Sequence, residues 1–295
     1  MQLNGLGVAL ITPFDQEGNL DLFALEDLVD SLIVSGVNYL VVLGTTAESS
    51  VLSQEEKERV KASVIAANAK RVPLILGLGS NDTRALCGAI KAVNANDFDA
   101  LLSVTPYYNK PTQRGLLAHY KALSQVSELP IVLYNVPSRT GVNLLPETTL
   151  ELAASSDIFI GIKEACGDRH QIGQLIDHAP KGFEVVSGDD LTAVESILMG
   201  ASGVISVVGQ ALPTHTLAAV MAALKKEQAL ALALNASMTT LVQLLFEEGN
   251  PAGVKALMSL TSDITSTVRL PLVDASKDLQ TRIAQELDIL KAITV

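Results

Sequence analysis

Cysteine, positive charge and aromatic residues are all scarce in this chain, and each shortage closes off a class of function. Two cysteines in 295 residues, Cys87 and Cys166, cannot make a disulfide framework and fit a reducing, cytoplasmic setting. A net charge of −11 with no basic patch repels phosphate backbones, so nucleic acid is not an expected partner. The four histidines (His119, His170, His178, His215) lie on separate segments without metal-ligand spacing, and no metal site is expected. "GLGS" at 77–80 lacks the third glycine of a dinucleotide fingerprint, and no lysine follows it to make a phosphate loop. The N-terminal stretch has no basic region or small-residue cleavage site, so no signal peptide is expected. No apolar run is expected to reach the ~18–20 residues of a membrane span. Tryptophan is absent and only five tyrosines occur, which makes the tyrosine positions informative.

What the chain does have is repetition. Hydrophobic residues make 48% of it, enough for a large core. Short β-branched runs at 7–11, 39–43, 73–77, 100–104, 130–134, 158–163, 184–187 and 203–206 alternate with amphipathic stretches such as "LFALEDLVDSLIVSG" and "QEEKERVKASVIAANA". The runs start roughly 20–35 residues apart, the size of one strand–helix unit. They are apolar on both faces, as parallel strands covered by helices are. Eight such units predict an α/β fold, a (β/α)₈ barrel. An open doubly wound sheet is the runner-up, but it usually carries a glycine-rich first turn, and here the first strand runs into "TPF". Helical periodicity alone follows, at 222–248, 252–261 and 277–293, which predicts a catalytic barrel over 1–224 and a helical extension over 225–295.

Active sites of such barrels lie at the C-terminal strand ends. The ends here read "GTTAES" (44–49), "TPYYNKP" (105–111), "YNVPSRTG" (134–141), Lys163-Glu164 and "SGDD" (187–190), and they hold three of the five tyrosines. Lys163 closes the apolar run "DIFIGIK". Such a lysine can be a strand-end residue snorkelling to water, or an amine that forms a Schiff base with a carbonyl substrate. A water-poor barrel mouth favours the neutral, nucleophilic form of an amine. Glu164 points to the opposite face by strand alternation. Tyr134 and Thr45 can pass protons through their hydroxyls, although Thr45 could equally be a helix cap. Arg139 can hold a carboxylate with two hydrogen bonds. Asp189 and Asp190 would repel the phosphate that barrels often bind after the last two strands, which favours a carboxylate substrate without phosphate.

The ordered set "GTTAES", "TPYYNKP", "YNVPSRTG", "GIKEACG", "SGDD" and "GVISV", with "NP" at 250–251 and "RLPL" at 269–272, resembles the dihydrodipicolinate synthase family. That family sits within the pyruvate-dependent lyase superfamily that also contains N-acetylneuraminate lyase. The resemblance implies condensation of pyruvate with L-aspartate 4-semialdehyde on the lysine and diaminopimelate route, with a covalent imine on Lys163 and no cofactor. It further implies a proton relay of Tyr134, Thr45 and Tyr108, with Tyr108 reaching into a neighbouring subunit. Thr46 and Arg139 would bind substrate, and Gly188 and Ile205 would line the pocket through their backbones. A homo-oligomer follows, a tetramer built as a dimer of dimers or a tight dimer.

Three departures from the family pattern stand out. Ala47 replaces a usual glycine, Cys166 replaces a usual threonine, and the positions that bind inhibitory lysine in some members hold Ala85, Gln54 and Lys57. Loss of a carboxylate and gain of a cation predict weak inhibition by lysine, although Asn81, Ser49 and Tyr107 remain. Two other readings share the barrel. A sugar-acid lyase would use the same imine, but sialate lyases usually carry serine at the position of Thr45. A keto-acid binder without activity would not need Lys163, Tyr134 and Arg139 together.

Overall fold

The computed structural model describes residues 1–293. Eight parallel strands close into a barrel in sequence order. They are β1 (Gly5–Ala9), β2 (Tyr39–Val42), β3 (Leu74–Gly77), β4 (Ala100–Val104), β5 (Ile131–Asn135), β6 (Phe159–Glu164), β7 (Glu184–Ser187) and β8 (Gly203–Ser206). The helices around them are α1 (Leu22–Val34), α2 (Gln54–Asn68), α3 (Thr83–Lys91), α4 (Gln113–Ser124), α5 (Pro137–Thr140), α6 (Pro146–Ser155), α7 (Arg169–His178), α8 (Ala193–Met199) and α9 (Pro213–Leu224). Three more follow: α10 (Gln228–Glu247), α11 (Ala252–Met258) and α12 (Lys277–Ile293). The (β/α)₈ barrel expected from the repeat is therefore present, with helices after it. Residues 294 and 295 of the predicted extension lie outside the described residues.

Local chemistry sets many of the helix starts. Ser53 and Glu56 form a reciprocal capping box at α2, and the Asp21 carboxylate accepts from the Ala24 N–H at α1. Pro146 and Pro213 occupy first-turn positions, where no N–H is needed.

Strand alternation sorts the apolar residues into two cores. Ala9, Tyr39, Val41, Ile75, Leu102, Val132, Val186 and Ile205 fill the barrel interior. Leu6, Val8, Leu40, Leu101, Leu133, Ile162 and Val204 face outward and merge with the helices, including Leu241, Leu257 and Leu287 of the C-terminal segment.

Several boundaries differ from expectation. The first strand spans Gly5–Ala9 rather than 7–11, because its pairing with β8 begins at Gly5 opposite Gly203. The helix expected over 222–248 is two helices. Lys226 adopts a positive φ of 61° between them, and its ammonium donates to the Ile197 and Leu198 carbonyls at 3.1 Å each. The helix expected over 252–261 ends at Met258. The expectation about long apolar runs also needs correction. Helix α10 is long and apolar enough to cross a membrane by length and composition, with mean hydropathy 1.6, because alanine and leucine dilute its polar residues. Its buried residues, among them Met238, Leu241 and Leu245, join the outer core.

Candidate active site

Tyr134 and Lys163 sit opposite each other in the β5–β6 register. Their meeting depends on an irregularity lower down: Ile131 pairs with Phe159 but Val132 pairs with Gly161, so Ile160 is extra. Phe159 and Ile162, three apart, consequently both join the outer core. Without that shift of phase, alternation from Phe159 would turn Lys163 outward. With it, Lys163 follows the outward Ile162 into the barrel.

Lys163 is 5% exposed, and its ammonium nitrogen lies 4.6 Å from the centroid of the Tyr134 ring. Among the described residues Nζ has no hydrogen-bond or ion-pair partner, and its one polar contact is with the face of that ring. Gly188 makes room for its stem, since a Cβ there would stand 2.8 Å from Lys163 Cε and 2.9 Å from Cγ. The result is a lysine held by packing, with its polar end uncommitted.

The outward neighbours of the same two residues form the opposite arrangement. Asn135 Nδ2 donates to both Glu164 oxygens at 3.0 Å, Gln171 Nε2 donates to Oε2 at 3.1 Å, and the Cys166 N–H donates to Oε1 at 2.8 Å. Asn143 Oδ1 also accepts from Asn135, at 2.7 Å. Burial raises the Glu164 pKa above the usual carboxylate range, and these hydrogen bonds oppose that rise. Glu164 thus faces away from Lys163, as expected, and fastens β5, β6 and α7 together behind it. Sequence reading did not assign Asn135, Asn143 or Gln171 a part. Asn135 next to Tyr134, and Glu164 next to Lys163, were the visible signals.

A cleft of about 470 Å³ opens at the strand ends, lined by Thr45, Tyr107, Tyr134, Arg139, Ser49 and Lys57 among others. Thr45 is exposed at the start of a 3₁₀ turn over Thr45–Ala47. Arg139 is exposed on α5, which Pro137 starts and Gly141 ends. Tyr134, Thr45 and Arg139 therefore share one cavity. Ile205 is fully buried in the barrel interior. Thr46 is buried, and its hydroxyl accepts from Asn250 Nδ2 at 2.9 Å. Tyr108 stands apart: it is 89% exposed, with φ of 73° and its N–H donating to the Thr140 carbonyl at 3.3 Å.

The two aspartates of "SGDD" do not form the charged lining expected of them. Asp190 is buried, and its carboxylate accepts from Ser206 Oγ at 2.5 Å and from the Val207 and Val208 N–H groups at 2.8 and 3.1 Å. Asp189 accepts from the Leu191 N–H and the Thr192 hydroxyl. Asp189 serves its own loop, and Asp190 is taken up by the end of β8 and the turn after it.

The departures at positions 47 and 166 add neither a strained backbone position nor a charge. The positive-φ residues around that turn are Leu43 and Glu48, at 56° and 53°, and Ala47 is not among them. Burial, and secondarily Glu164, push the Cys166 thiol up to about 12, so it stays protonated at neutral pH.

The sequence profile of the Dihydrodipicolinate synthetase family matches residues 2–290. A 4-hydroxy-tetrahydrodipicolinate synthase of Flavobacterium psychrophilum is 47% identical over 279 residues, covering 95% of each chain. Among solved structures, the dihydrodipicolinate synthase of Thermotoga maritima matches with a TM-score of 0.95 at 37% identity, over 99% of both chains. A chloride-inhibited dihydrodipicolinate synthase of Acinetobacter baumannii, solved with pyruvate, matches with a TM-score of 0.93 at 41% identity, over 98% of this chain and 99% of that one. A barrel with a buried lysine at the end of its sixth strand and sequence agreement from one end to the other have one common explanation: the chain belongs to the dihydrodipicolinate synthetase family.

Proposed function

We propose that the chain condenses pyruvate with L-aspartate 4-semialdehyde through an imine on Lys163, the reaction of 4-hydroxy-tetrahydrodipicolinate synthases. The neutral amine adds to the keto carbon of pyruvate, and the carbonyl oxygen leaves as water once the C–N bond has formed. Loss of a proton from the methyl carbon gives an enamine, which attacks the aldehyde carbon of the second substrate. The aldehyde oxygen takes up a proton and becomes the hydroxyl group. The amine of the semialdehyde then displaces Lys163 from the imine carbon, which closes the ring and frees the lysine. The imine is itself the electron sink, so no external cofactor is required.

Roles follow from position. Tyr134 and Thr45 move protons, with Tyr134 against the reacting nitrogen and Thr45 at the cleft mouth. Arg139 holds the semialdehyde carboxylate, and Thr46, Gly188 and Ile205 shape the pyruvate end. Tyr108 completes the relay of a neighbouring subunit, which explains a tyrosine extended into solvent and makes the working form a homo-oligomer, a tetramer of two dimers. The barrel over 1–224 carries the chemistry, 225–295 is an extension, and the enzyme works in the cytoplasm. Lysine inhibits weakly, because Lys57 puts a positive charge on the effector side of the cleft.

The observation that carries this reading is the buried Lys163 side chain, whose nitrogen lies beside the Tyr134 ring. Borohydride reduction in the presence of pyruvate should add one reduced pyruvate to the wild-type chain and none to Lys163→Ala. The coupled pyruvate–semialdehyde assay should fall by roughly 10⁴-fold or more in that variant. Persistent labelling of Lys163→Ala would remove the assignment.

A further inference from the structure

Helix α11 is buried along its whole length, and in the middle of it stands Lys255, with 0% exposure. Its ammonium donates to Glu48 Oε1 at 2.6 Å and to the Thr267 carbonyl at 2.8 Å, and lies 4.1 Å from the Phe14 ring centroid. The other Glu48 oxygen accepts from the Arg269 N–H at 2.9 Å. Arg269 in turn forks onto Glu56, at 2.9 and 2.6 Å, and covers the Phe14 ring at 4.4 Å. Asn250 donates to the Thr46 hydroxyl at 2.9 Å. Three of these contacts run from residues 250–269 to the turn that presents Thr45: Lys255 to Glu48, the Arg269 N–H to Glu48 and Asn250 to Thr46.

A buried ion pair is a poor device for stability, because desolvation of both charges offsets their attraction and apolar residues of like size often do as well. What it does supply is a fixed geometry. Glu48 needs fixing, since it holds φ 53° and ψ 33°, a left-handed conformation that non-glycine residues seldom adopt. The Glu48 N–H closes the turn by donating to the Thr45 carbonyl at 3.2 Å, so the place of Glu48 sets the place of Thr45.

We infer that Lys255 is a positioning residue for the reaction: by pinning Glu48 from the C-terminal extension, it holds Thr45 in register with the imine. The inference rests on the reading of Thr45 as a proton carrier, and the test separates the two. Thr45→Val, Lys255→Met and the double variant of the full chain should be compared for melting temperature, borohydride trapping of pyruvate, kcat and KM. Lys255→Met should still trap pyruvate, because Lys163 is untouched, while kcat falls by about 10–100-fold, the effect of a misplaced group. In the Thr45→Val background the same substitution should cost less than about 3-fold, because its route to the chemistry has already been removed. An equal loss in both backgrounds, or an unchanged kcat, overturns the inference while leaving Thr45's role intact. A wild-type kcat in Thr45→Val overturns the role of Thr45 and the inference together. Should Lys255→Met not fold, Glu48→Gln, which keeps the acceptor and removes the charge, carries the same cycle with the same outcomes.

Discussion

Lys163 and Tyr108 serve one reaction on this reading, yet the chain surrounds them in opposite ways. Lys163 is 5% exposed, flanked by the Tyr134 ring, with room left by Gly188 and a hydrogen-bonded carboxylate network behind it. Tyr108 is 89% exposed at the tip of a loop, and its neighbour Tyr107 is 40% exposed. One wall of the proposed site is finished within a single chain. The other is an aromatic pair held out to water, a costly arrangement unless a second surface covers it. The difference divides the proposed roles: on this reading imine formation uses only the inner wall around Lys163, and the later proton transfers use the outer wall of Tyr107 and Tyr108 as well.

Substitutions on the two walls should therefore separate two stages of the reaction. Tyr134→Phe keeps the ring against Lys163 and loses the hydroxyl. It should lower kcat by about 10²–10⁴-fold, with pyruvate trapping slowed as well; equal loss in condensation but full-speed trapping would move Tyr134 to the outer stage. Gly188→Ala brings a methyl within 3 Å of the Lys163 stem and should cut turnover by about 10–100-fold through displacement of the amine. A normal trapping rate in that variant would show that the stem has other room.

Tyr108→Phe should leave trapping at the wild-type rate and lower kcat by about 10-fold. Mixed oligomers of Tyr108→Phe and Lys163→Ala subunits should regain activity, since each supplies what the other lacks. A mixture no more active than the average of its two parents would confine Tyr108 to its own chain.

The smallest effect belongs to the clamp beneath the turn. The Arg269 fork, ahead of the Ser53 contacts, holds the Glu56 carboxyl down from about 4.5 to about 2. A depressed carboxylate pKa adds stability that is fully present above pH ~4.5 and is lost as pH falls through about 2. Glu56→Gln should lower the melting temperature by a few degrees at pH 7, and the gap should close between pH 4.5 and 2. A constant gap across that range would assign the loss to packing instead.

Much of this molecule was legible before any coordinates. The eight strands were readable because parallel strands in a barrel are apolar on both faces, and Lys163, Tyr134, Thr45 and Arg139 were conspicuous as polar groups at one phase of the repeat. The errors were of a different kind. From the sequence, Asp189 and Asp190 are two charges that would repel phosphate; a carboxylate near a strand end is visible there, but not that Ser206 and the Val207 and Val208 N–H groups already occupy Asp190. Lys255 was passed over, although a single lysine in the buried stretch "AGVKALM" is an anomaly, because its partner lies 207 residues away.

The amino-acid sequence by itself determined the repeat, the barrel and the chemistry at the strand ends, since hydrophobic period and residue type are local properties that burial and reactivity act upon directly. Which way Lys163 points was decided only in three dimensions, by one extra residue in β6 whose effect exists only against the register of β5. The same holds for the turn carrying Thr45, where Glu48 is tied to Lys255 and to the Arg269 N–H, more than 200 residues away.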